Sequence, residues 1–170
     1  MNRRSFLIGL AGLPLLAACK DKDLTALPQP QEPGKDTVAQ ICGMMLSEHA
    51  GPKAQIFLRD MPDPYWFSSV RDAVAYSILP EMPKAIVAFY VNDMGRVRNW
   101  DQPEPGAWID AKRAAFVIAS ARKSGMETDE AIPFGDEAAA RQFVAVNGGR
   151  IVRLADIPAD YVLASSTGEP

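Results

Sequence analysis

Residues 66–78 read WFSSVRDAVAYSI, and this stretch predicts an amphipathic helix with a defined beginning and end. Its apolar residues recur at steps of three and four, which places them on one helix face: Phe67, Val70, Val74 and Ile78. Ser69 and Asp72 have the spacing of a capping box, so we expect the helix to begin there. Pro80 and Pro83 cannot continue a helix and end it soon afterwards.

This helix lies between two apolar, strand-like runs, at Ala54–Leu58 and Ile86–Val91. The same order returns further along the chain as a degenerate repeat, at Ala115–Ala119, Pro133–Asp136 and Ile151–Leu154. In each copy we expect the first run to lead through a loop to the helix, the loops being Trp66–Ser69 and Pro133–Asp136. A shorter strand candidate precedes each copy, at Ile41–Leu46 and Trp108–Ala111. Each copy therefore predicts two strands, a helix and a third strand.

The helix of the second copy also has local start and stop signals. Asp136 can cap its beginning. We expect its buried face to consist of Ala139, Phe143 and Val146. Gly148 and Gly149 end it, because glycine accepts the left-handed backbone found at helix ends.

These patterns predict an α+β fold of two similar strand-strand-helix-strand units, at residues 37–100 and 101–165. Residues 95–106, with two prolines, are the predicted connection between the units. A unit of about 60 residues buries little surface by itself, so we expect the two to pack together.

The N-terminus predicts export and lipidation. Arg3 and Arg4 precede an apolar run too short to span a bilayer, so residues 1–18 are a predicted signal peptide. Leu16-Ala17-Ala18-Cys19 resembles a bacterial lipobox, which implies cleavage before Cys19, acylation of that residue and anchoring in a lipid bilayer. The paired arginines resemble a twin-arginine signal, and the general secretion route stays open. Residues 19–36 are polar and rich in proline and predict a disordered tether.

Composition limits the function further. The 170 residues carry a net charge of −3, so the chain lacks the basic character typical of nucleic-acid binding. It contains two cysteines, one histidine and seven methionines. Once Cys19 carries lipid, Cys42 is the only free thiol, and no internal disulfide can form.

Residues 41–49, ICGMMLSEH, contain the strongest candidates for metal binding. On the predicted strand Cys42 and Met44 share a face, and Gly43 would let another segment approach closely. A thiolate beside a thioether favours Cu(I), whereas Mg²⁺, Ca²⁺ and Mn²⁺ prefer oxygen and structural zinc needs four Cys or His donors. His49 lies just beyond, and a turn at Gly51-Pro52 would bring it back towards Cys42. The alternative is that Cys42 and the methionines fill the core.

Two further methionines are candidates. Met126 lies in a polar loop, where it either binds metal or anchors the loop against the domain. Met45 adjoins the motif, but on a strand it would point away from Cys42, so it ranks last.

Several motifs in order resemble the NosL family, the copper-binding accessory lipoproteins of nitrous oxide reductase maturation. They are Cys42-Gly43-Met44, Glu48-His49 with Gly51-Pro52-Lys53-Ala54-Gln55-Ile56, Trp66 to Asp72, Val91 to Gly95, and Gly125-Met126. The resemblance covers residues 37–163. It implies two strand-strand-helix-strand units, related to the N-terminal part of organomercury lyases.

The resemblance also implies a function without catalysis. The chain would be a lipid-anchored, periplasmic Cu(I) chaperone that supplies the copper–sulfide site of nitrous oxide reductase and works with an ABC-type transporter complex. The implied ligands are Cys42, Met44 and Met126, followed in rank by His49 and then Met45. Whether the inner or the outer membrane holds the anchor stays open.

Two other functions compete with this interpretation. An organomercury-lyase-like enzyme would need a pair of thiols, and only Cys42 is free after lipidation. A structural lipoprotein, serving as a scaffold for a membrane complex without metal, would have Cys42 buried in its core.

Overall fold

The computed structural model describes residues 27–82 and 85–163. The predicted signal peptide, the lipidation site Cys19 and the first part of the predicted tether lie outside the described residues. Within the described part, no helix is both long and apolar enough to cross a bilayer.

The described chain forms seven strands and three α-helices. In chain order these are β1 Ala54–Leu58, β2 Tyr65–Phe67, α1 Val70–Ile78, β3 Ile86–Asn92, β4 Trp108–Asp110, β5 Ala115–Ile118, β6 Ile132–Phe134, α2 Glu137–Asn147, β7 Arg150–Val152 and α3 Ala159–Leu163. Single turns of 3₁₀ helix occupy Leu46–Glu48 and Leu154–Asp156.

The strands form two antiparallel sheets with matching topology. The first sheet has the order β2-β1-β3-β4, and the second has the order β6-β5-β7. In both, the first strand of the unit is central, the second and third strands flank it, and the helix connects those two. This arrangement confirms the predicted α+β fold of two strand-strand-helix-strand units.

The assignment of individual strands was partly wrong. Ile41–Leu46 is not a strand but a tight turn followed by the start of the 3₁₀ helix. Gly43 has a φ of +68° at the reversal, and its N–H donates to the carbonyl of Ala39 at 3.0 Å. The second strands are instead β2 and β6, where loops were predicted, because strands of three residues are too short to show a period.

The strand at Trp108–Asp110 exists, but it does not belong to the second sheet. It pairs with β3, where Asn92 lies opposite Trp108 and Tyr90 opposite Asp110. The prediction that it begins the second unit's sheet was therefore wrong. Pairing between strands distant in sequence leaves no local signal in the residues themselves.

The two units share hydrophobic cores through β5. Phe116 and Ile118 point into the core that contains α1 and the inner face of the first sheet. Ala115 and Val117 point the other way, into the core beneath α2. Because side chains alternate along a strand, one central strand contributes to both cores and holds the units together.

The predicted helix caps are confirmed. The hydroxyl of Ser69 accepts from the N–H of Asp72 at 3.4 Å, and Asp136 accepts from the N–H of Ala138 at 2.9 Å. The predicted face of α2 was partly wrong, because Val146 is 83% exposed. The inward face instead runs through Ala140, Phe143 and Val144, which pack in the core beneath α2, and Val146 lies about 200° round the helix from Val144.

The predicted tether is not free over its described part. Residues 28–32 lie on the first sheet, where the hydroxyl of Tyr90 donates to the carbonyl of Pro28 at 2.7 Å. The side-chain amide of Gln55 bonds the backbone of Gln31. The prediction of disorder was therefore wrong for this segment, because partners on distant strands satisfy its backbone.

Gly148 and Gly149 offer a matched test of the end of α2. Both have positive φ, but a Cβ on Gly149 would also lie 2.6 Å from the carbonyl oxygen of Ile118, whereas one on Gly148 would meet nothing within 4 Å. We expect Gly148→Ala to cost about 1–2 kcal/mol and Gly149→Ala about 2–4 kcal/mol in the free energy of unfolding. Urea denaturation of both variants measures the difference, and equal losses would contradict the backbone clash.

Candidate metal site

Cys42 lies in the tight turn that precedes the first 3₁₀ helix. Two backbone bonds close the turn, from Ala39 N–H to the Met44 carbonyl and from Leu46 N–H to the Thr37 carbonyl, each at 2.9 Å. A third, from Gln40 N–H to the carbonyl of Trp66 at 2.7 Å, fixes the turn against β2. Cys42 is half-buried there. Its thiol is therefore held in place outside both hydrophobic cores.

The thiol has two polar neighbours. The Sγ of Cys42 lies 4.0 Å from the Nε2 of His49 and 3.5 Å from the Oγ of Ser68. His49 and Ser68 are themselves buried. The expected proximity of His49 to Cys42 is confirmed, although the chain reverses before His49, at Gly43 and in the 3₁₀ turn. The sequence analysis missed the contact of Ser68 with Cys42, because the two residues are 26 positions apart in the chain.

Lys53 holds the segment that follows His49. Its buried ammonium donates to the carbonyl of His49 at 2.7 Å and to that of Gly51 at 2.6 Å. Burial lowers its pKa to about 8, and the nearby carboxylates of Glu130 and Asp101 oppose that shift. This lysine stood in the Gly51-Pro52-Lys53 motif, but nothing local marked it as a buried clamp.

The loop that carries Met126 packs on the same segment. A Cβ on Gly125 would lie 2.6 Å from the backbone nitrogen of Ala50 and 2.7 Å from its carbonyl oxygen. The loop can approach this closely only because residue 125 has no side chain. Met126 is half-buried and its N–H donates to the hydroxyl of Ser124 at 3.2 Å. The second unit thus delivers Met126 to the side of the domain that holds His49.

Met44 and Met45 are exposed to solvent, by 42% and 38%. The argument that Cys42 and Met44 share a strand face does not hold, and neither does the argument that Met45 must point away, because the segment is a turn. Gly43 allows the positive φ of that turn. It is not needed for the close approach of another segment, since a Cβ there would meet nothing within 4 Å. Met44 and Cys42 remain neighbours through the turn itself.

A buried carboxyl group lies behind the site. One oxygen of Glu130 accepts from the N–H groups of Arg71 and Ala131, both at 2.8 Å, and from the hydroxyl of Ser69 at 3.3 Å. Its other oxygen has no hydrogen-bond partner within the described part of the chain. Burial raises the pKa of Glu130 to about 7, against the three donated bonds, which lower it. No local pattern in the sequence had marked Glu130 as a buried group.

The described residues offer a metal ion at this position no more than two Cys, His, Asp or Glu donors. Among residues 27–82 and 85–163, no three His, Cys, Asp or Glu side chains are grouped so that they could hold a metal ion. The turn offers one thiol and one imidazole together, with methionines of two loops around them. Such a set suits a soft monovalent ion better than a hard divalent one.

A comparison with protein families decides the relationship. The NosL family model matches residues 30–162. The chain belongs to the NosL family. The predicted resemblance is thereby confirmed, and it covers both units and the end of the tether.

Relatives and solved structures agree with this assignment. The copper-binding lipoprotein NosL of Achromobacter cycloclastes is 46% identical over 95% of this chain and 84% of its own length. The copper-binding lipoprotein NosL of Stutzerimonas stutzeri is 31% identical over 69% of this chain and 60% of its own. The crystal structure of the copper chaperone NosL from Shewanella denitrificans superposes with a TM-score of 0.71 at 27% identity, covering 76% of this chain and 95% of that one. The solution structure of apo-NosL from A. cycloclastes gives a TM-score of 0.50 at 46% identity, covering 69% of this chain and 94% of that one.

Gly125 tests how this NosL protein joins its two units at the site. We expect Gly125→Ala to cost about 1–3 kcal/mol in the free energy of unfolding, because the methyl group would meet backbone atoms that cannot rotate away. Gly34→Ala is the matched control, since its Cβ would meet only the hydroxyl of Thr37 at 3.6 Å. Thermal unfolding and amide chemical shifts at residues 49–51 measure both. A Gly125→Ala protein with unchanged stability and shifts would contradict the close packing.

Glu130 predicts a pH dependence of stability. Its pKa rises from 4.5 to about 7 on folding, so between these values the folded chain retains a proton that the unfolded chain releases. Glu130 therefore does not lower the free energy of unfolding below pH 4.5. The loss grows as the pH rises from 4.5 to 7, and it reaches its full size above pH 7. We expect Glu130→Gln to stabilise the protein at pH 8 by about 1–3 kcal/mol, and by progressively less towards pH 4.5. Chemical denaturation across this range measures it, with the exposed Glu81→Gln as control. A gain independent of pH would show that Glu130 does not titrate in this window.

Proposed function

We propose that this chain is a lipid-anchored, periplasmic Cu(I) chaperone. It supplies copper for the copper–sulfide site of nitrous oxide reductase, in cooperation with an ABC-type transporter complex. The observation that carries the proposal is the pairing of the accessible Cys42 thiol with the His49 imidazole beside the Met126 loop. The names of the relatives, as copper-binding lipoproteins and a copper chaperone, support it.

The spacing of the two donors suits a single metal ion. Metal–ligand distances of about 2.3 Å to thiolate sulfur and about 2.0 Å to imidazole nitrogen are usual for zinc. With similar distances, the 4.0 Å between Sγ and Nε2 corresponds to an angle at the metal of roughly 135°. That angle lies between trigonal and linear, so one further donor fits. We propose that Met126 or Met44 supplies it.

The exposure of the turn supports release as well as binding. A chaperone has to pass its ion to another set of ligands, and a donor already at the surface can exchange stepwise. Met44 and Met45 present thioether sulfur to solvent next to the thiol. We propose that an incoming ligand from the partner enters on this side and that the exposed methionines hold the ion during transfer.

The competing functions receive no support from the site. A scaffold lipoprotein would bury Cys42 in its core, yet the thiol belongs to neither hydrophobic core and contacts two polar side chains. An organomercury-lyase-like reaction needs a pair of thiols, and Cys42 is the only free cysteine of the described chain. The names of the relatives refer to copper binding and copper transfer, which supports a protein without catalytic activity.

Competitive titration of Cu(I) against a chelator, under anaerobic conditions, tests the ligand set. We expect Cys42→Ser to weaken binding by about 100-fold or more and Met126→Leu by about tenfold, since both remove soft donors. Met61→Leu, which changes an exposed methionine on another loop, should have no effect. The thermal stability of the apo protein is measured in parallel. Near-native affinity of Cys42→Ser would refute the site, and a sharp loss of apo stability in Met126→Leu would make Met126 a packing residue instead.

A further inference from the structure

The outer face of the first sheet carries a binding groove for the chain's own proline-rich segment. Alternation along β1 directs Ile56 into the core and Gln55 to the opposite, outer face, where Gln55 is nevertheless fully buried. The Oε1 of Gln55 accepts from the backbone N–H of Gln31 at 2.9 Å, and its Nε2 donates to the carbonyl of Gln31 at 3.0 Å. One side chain thus satisfies both backbone groups of one residue.

Residues 28–32, which we name the strap, make three further bonds to distant parts of the fold. The hydroxyl of Tyr90 donates to the Pro28 carbonyl at 2.7 Å, and the side chain of Gln31 donates to the Pro62 carbonyl at 3.2 Å. The N–H of Gly106 donates to the carboxylate of Glu32 at 2.8 Å. Tyr90 and Trp108 line a groove beside residues 29 and 30. Aromatic side chains that border a proline-rich backbone are a recurring means of binding extended segments.

The strap crosses the sheet from one side to the other. Pro28 contacts β3 through Tyr90, and Gln31 contacts β1 through Gln55. The chain then reaches β2, where Gln40 bonds the carbonyl of Trp66 and the turn of Cys42 begins. Because the order of the sheet is β2-β1-β3-β4, the tether enters on the side of β3 while Cys42 lies on the side of β2.

We propose that the docked strap points the copper-binding turn away from the lipid anchor. This inference rests on the proposed anchoring at Cys19. With the strap docked, the chain meets the first sheet at Pro28 beside β3, and two strand spacings, roughly 10 Å, separate β3 from the strand β2 that holds the turn. With the strap released, the tether would run to Thr37, directly beside the turn.

Release would bring an apolar surface to the membrane. Four exposed apolar residues lie within four positions of Cys42 in the chain, namely Val38, Ile41, Met44 and Met45. Apolar side chains close to a bilayer partition into its interface, and an anchor attached next to them would favour that contact. If the turn lay against the bilayer, the lipid would cover the surface through which a protein partner has to reach Cys42. The strap therefore keeps the copper-binding turn accessible.

The test uses the lipidated chain in phospholipid vesicles, without copper. Gln31→Pro removes the backbone N–H that donates to the Oε1 of Gln55. It also places a carbon of the proline ring against that buried Oε1. Gln29→Pro is the matched control, because it adds the same ring to the strap and removes only the exposed side-chain bond of Gln29 to the Leu27 carbonyl. A fluorophore on Cys42 and headgroup-labelled quencher lipids report contact between the turn and the membrane. Hydrogen exchange of residues 27–35 reports docking of the strap.

We expect fast exchange of the strap and about twofold or greater quenching in Gln31→Pro, with Gln29→Pro like the wild type. Tyr90→Phe removes only the bond to Pro28, so we expect it to raise the exchange of the strap and the quenching by smaller amounts. It replaces Gln31→Pro as the test variant if Gln31→Pro does not fold. A released strap with unchanged quenching, or a strap that already exchanges freely in the wild type, would overturn the inference.

Two measurements separate this inference from the proposed function. Wild-type protein that stays off the vesicles would show that the anchoring itself fails. Cu(I) titration of unlabelled Gln31→Pro should give wild-type affinity, because every proposed ligand is retained. A loss of affinity there would make the strap part of the metal site and would overturn its role in orientation.

Discussion

The backbone of residues 49–51 is held from two sides, and the geometry of the candidate site depends on this constraint. The ammonium of Lys53 bonds two of its carbonyls from within the first unit. Gly125 approaches Ala50 from the second unit so closely that no side chain fits between them. The imidazole of His49 and the loop of Met126 thereby reach the same place, although 77 residues separate them in sequence. Loss of either contact would separate donors that come from different units.

The constraint operates beside a rigid frame. Strand β5 contributes alternate side chains to two cores, and such shared packing resists relative motion of the units. The turn of Cys42 lies outside both cores, where backbone bonds and the contacts of its thiol with His49 and Ser68 hold it. This division suits a site that exchanges its ion: the frame fixes where the donors are, and the exposed turn lets an incoming ligand reach them. The docked strap extends the same division to the N-terminal side of the domain.

Buried charge accompanies the site. Lys53 and Glu130 both lie out of water, and the carboxylate of Glu130 raises the pKa of Lys53 against the effect of burial. Burial lowers the pKa of the lysine and raises that of the glutamate, so each group is displaced towards neutrality. Groups of this kind cost stability, and their presence beside the candidate ligands is consistent with a region shaped by function as well as by packing.

The sequence by itself determined the elements whose causes are local. The helix caps follow from side chains within three residues of each helix start, so Ser69 and Asp136 marked the two beginnings, and the repeat indicated the two units. The helix faces were predicted only in part, because Ile78 and Val146 are exposed. The order of soft donors likewise indicated Cys42, Met44 and Met126 as candidates. Only the tertiary structure decided that residues 41–46 form a turn, that β4 joins the first sheet and that Gln55 docks the strap. It also revealed Lys53, Ser68, Gly125 and Glu130, because each acts through partners distant in the chain, and contacts of that kind depend on packing rather than on any local pattern.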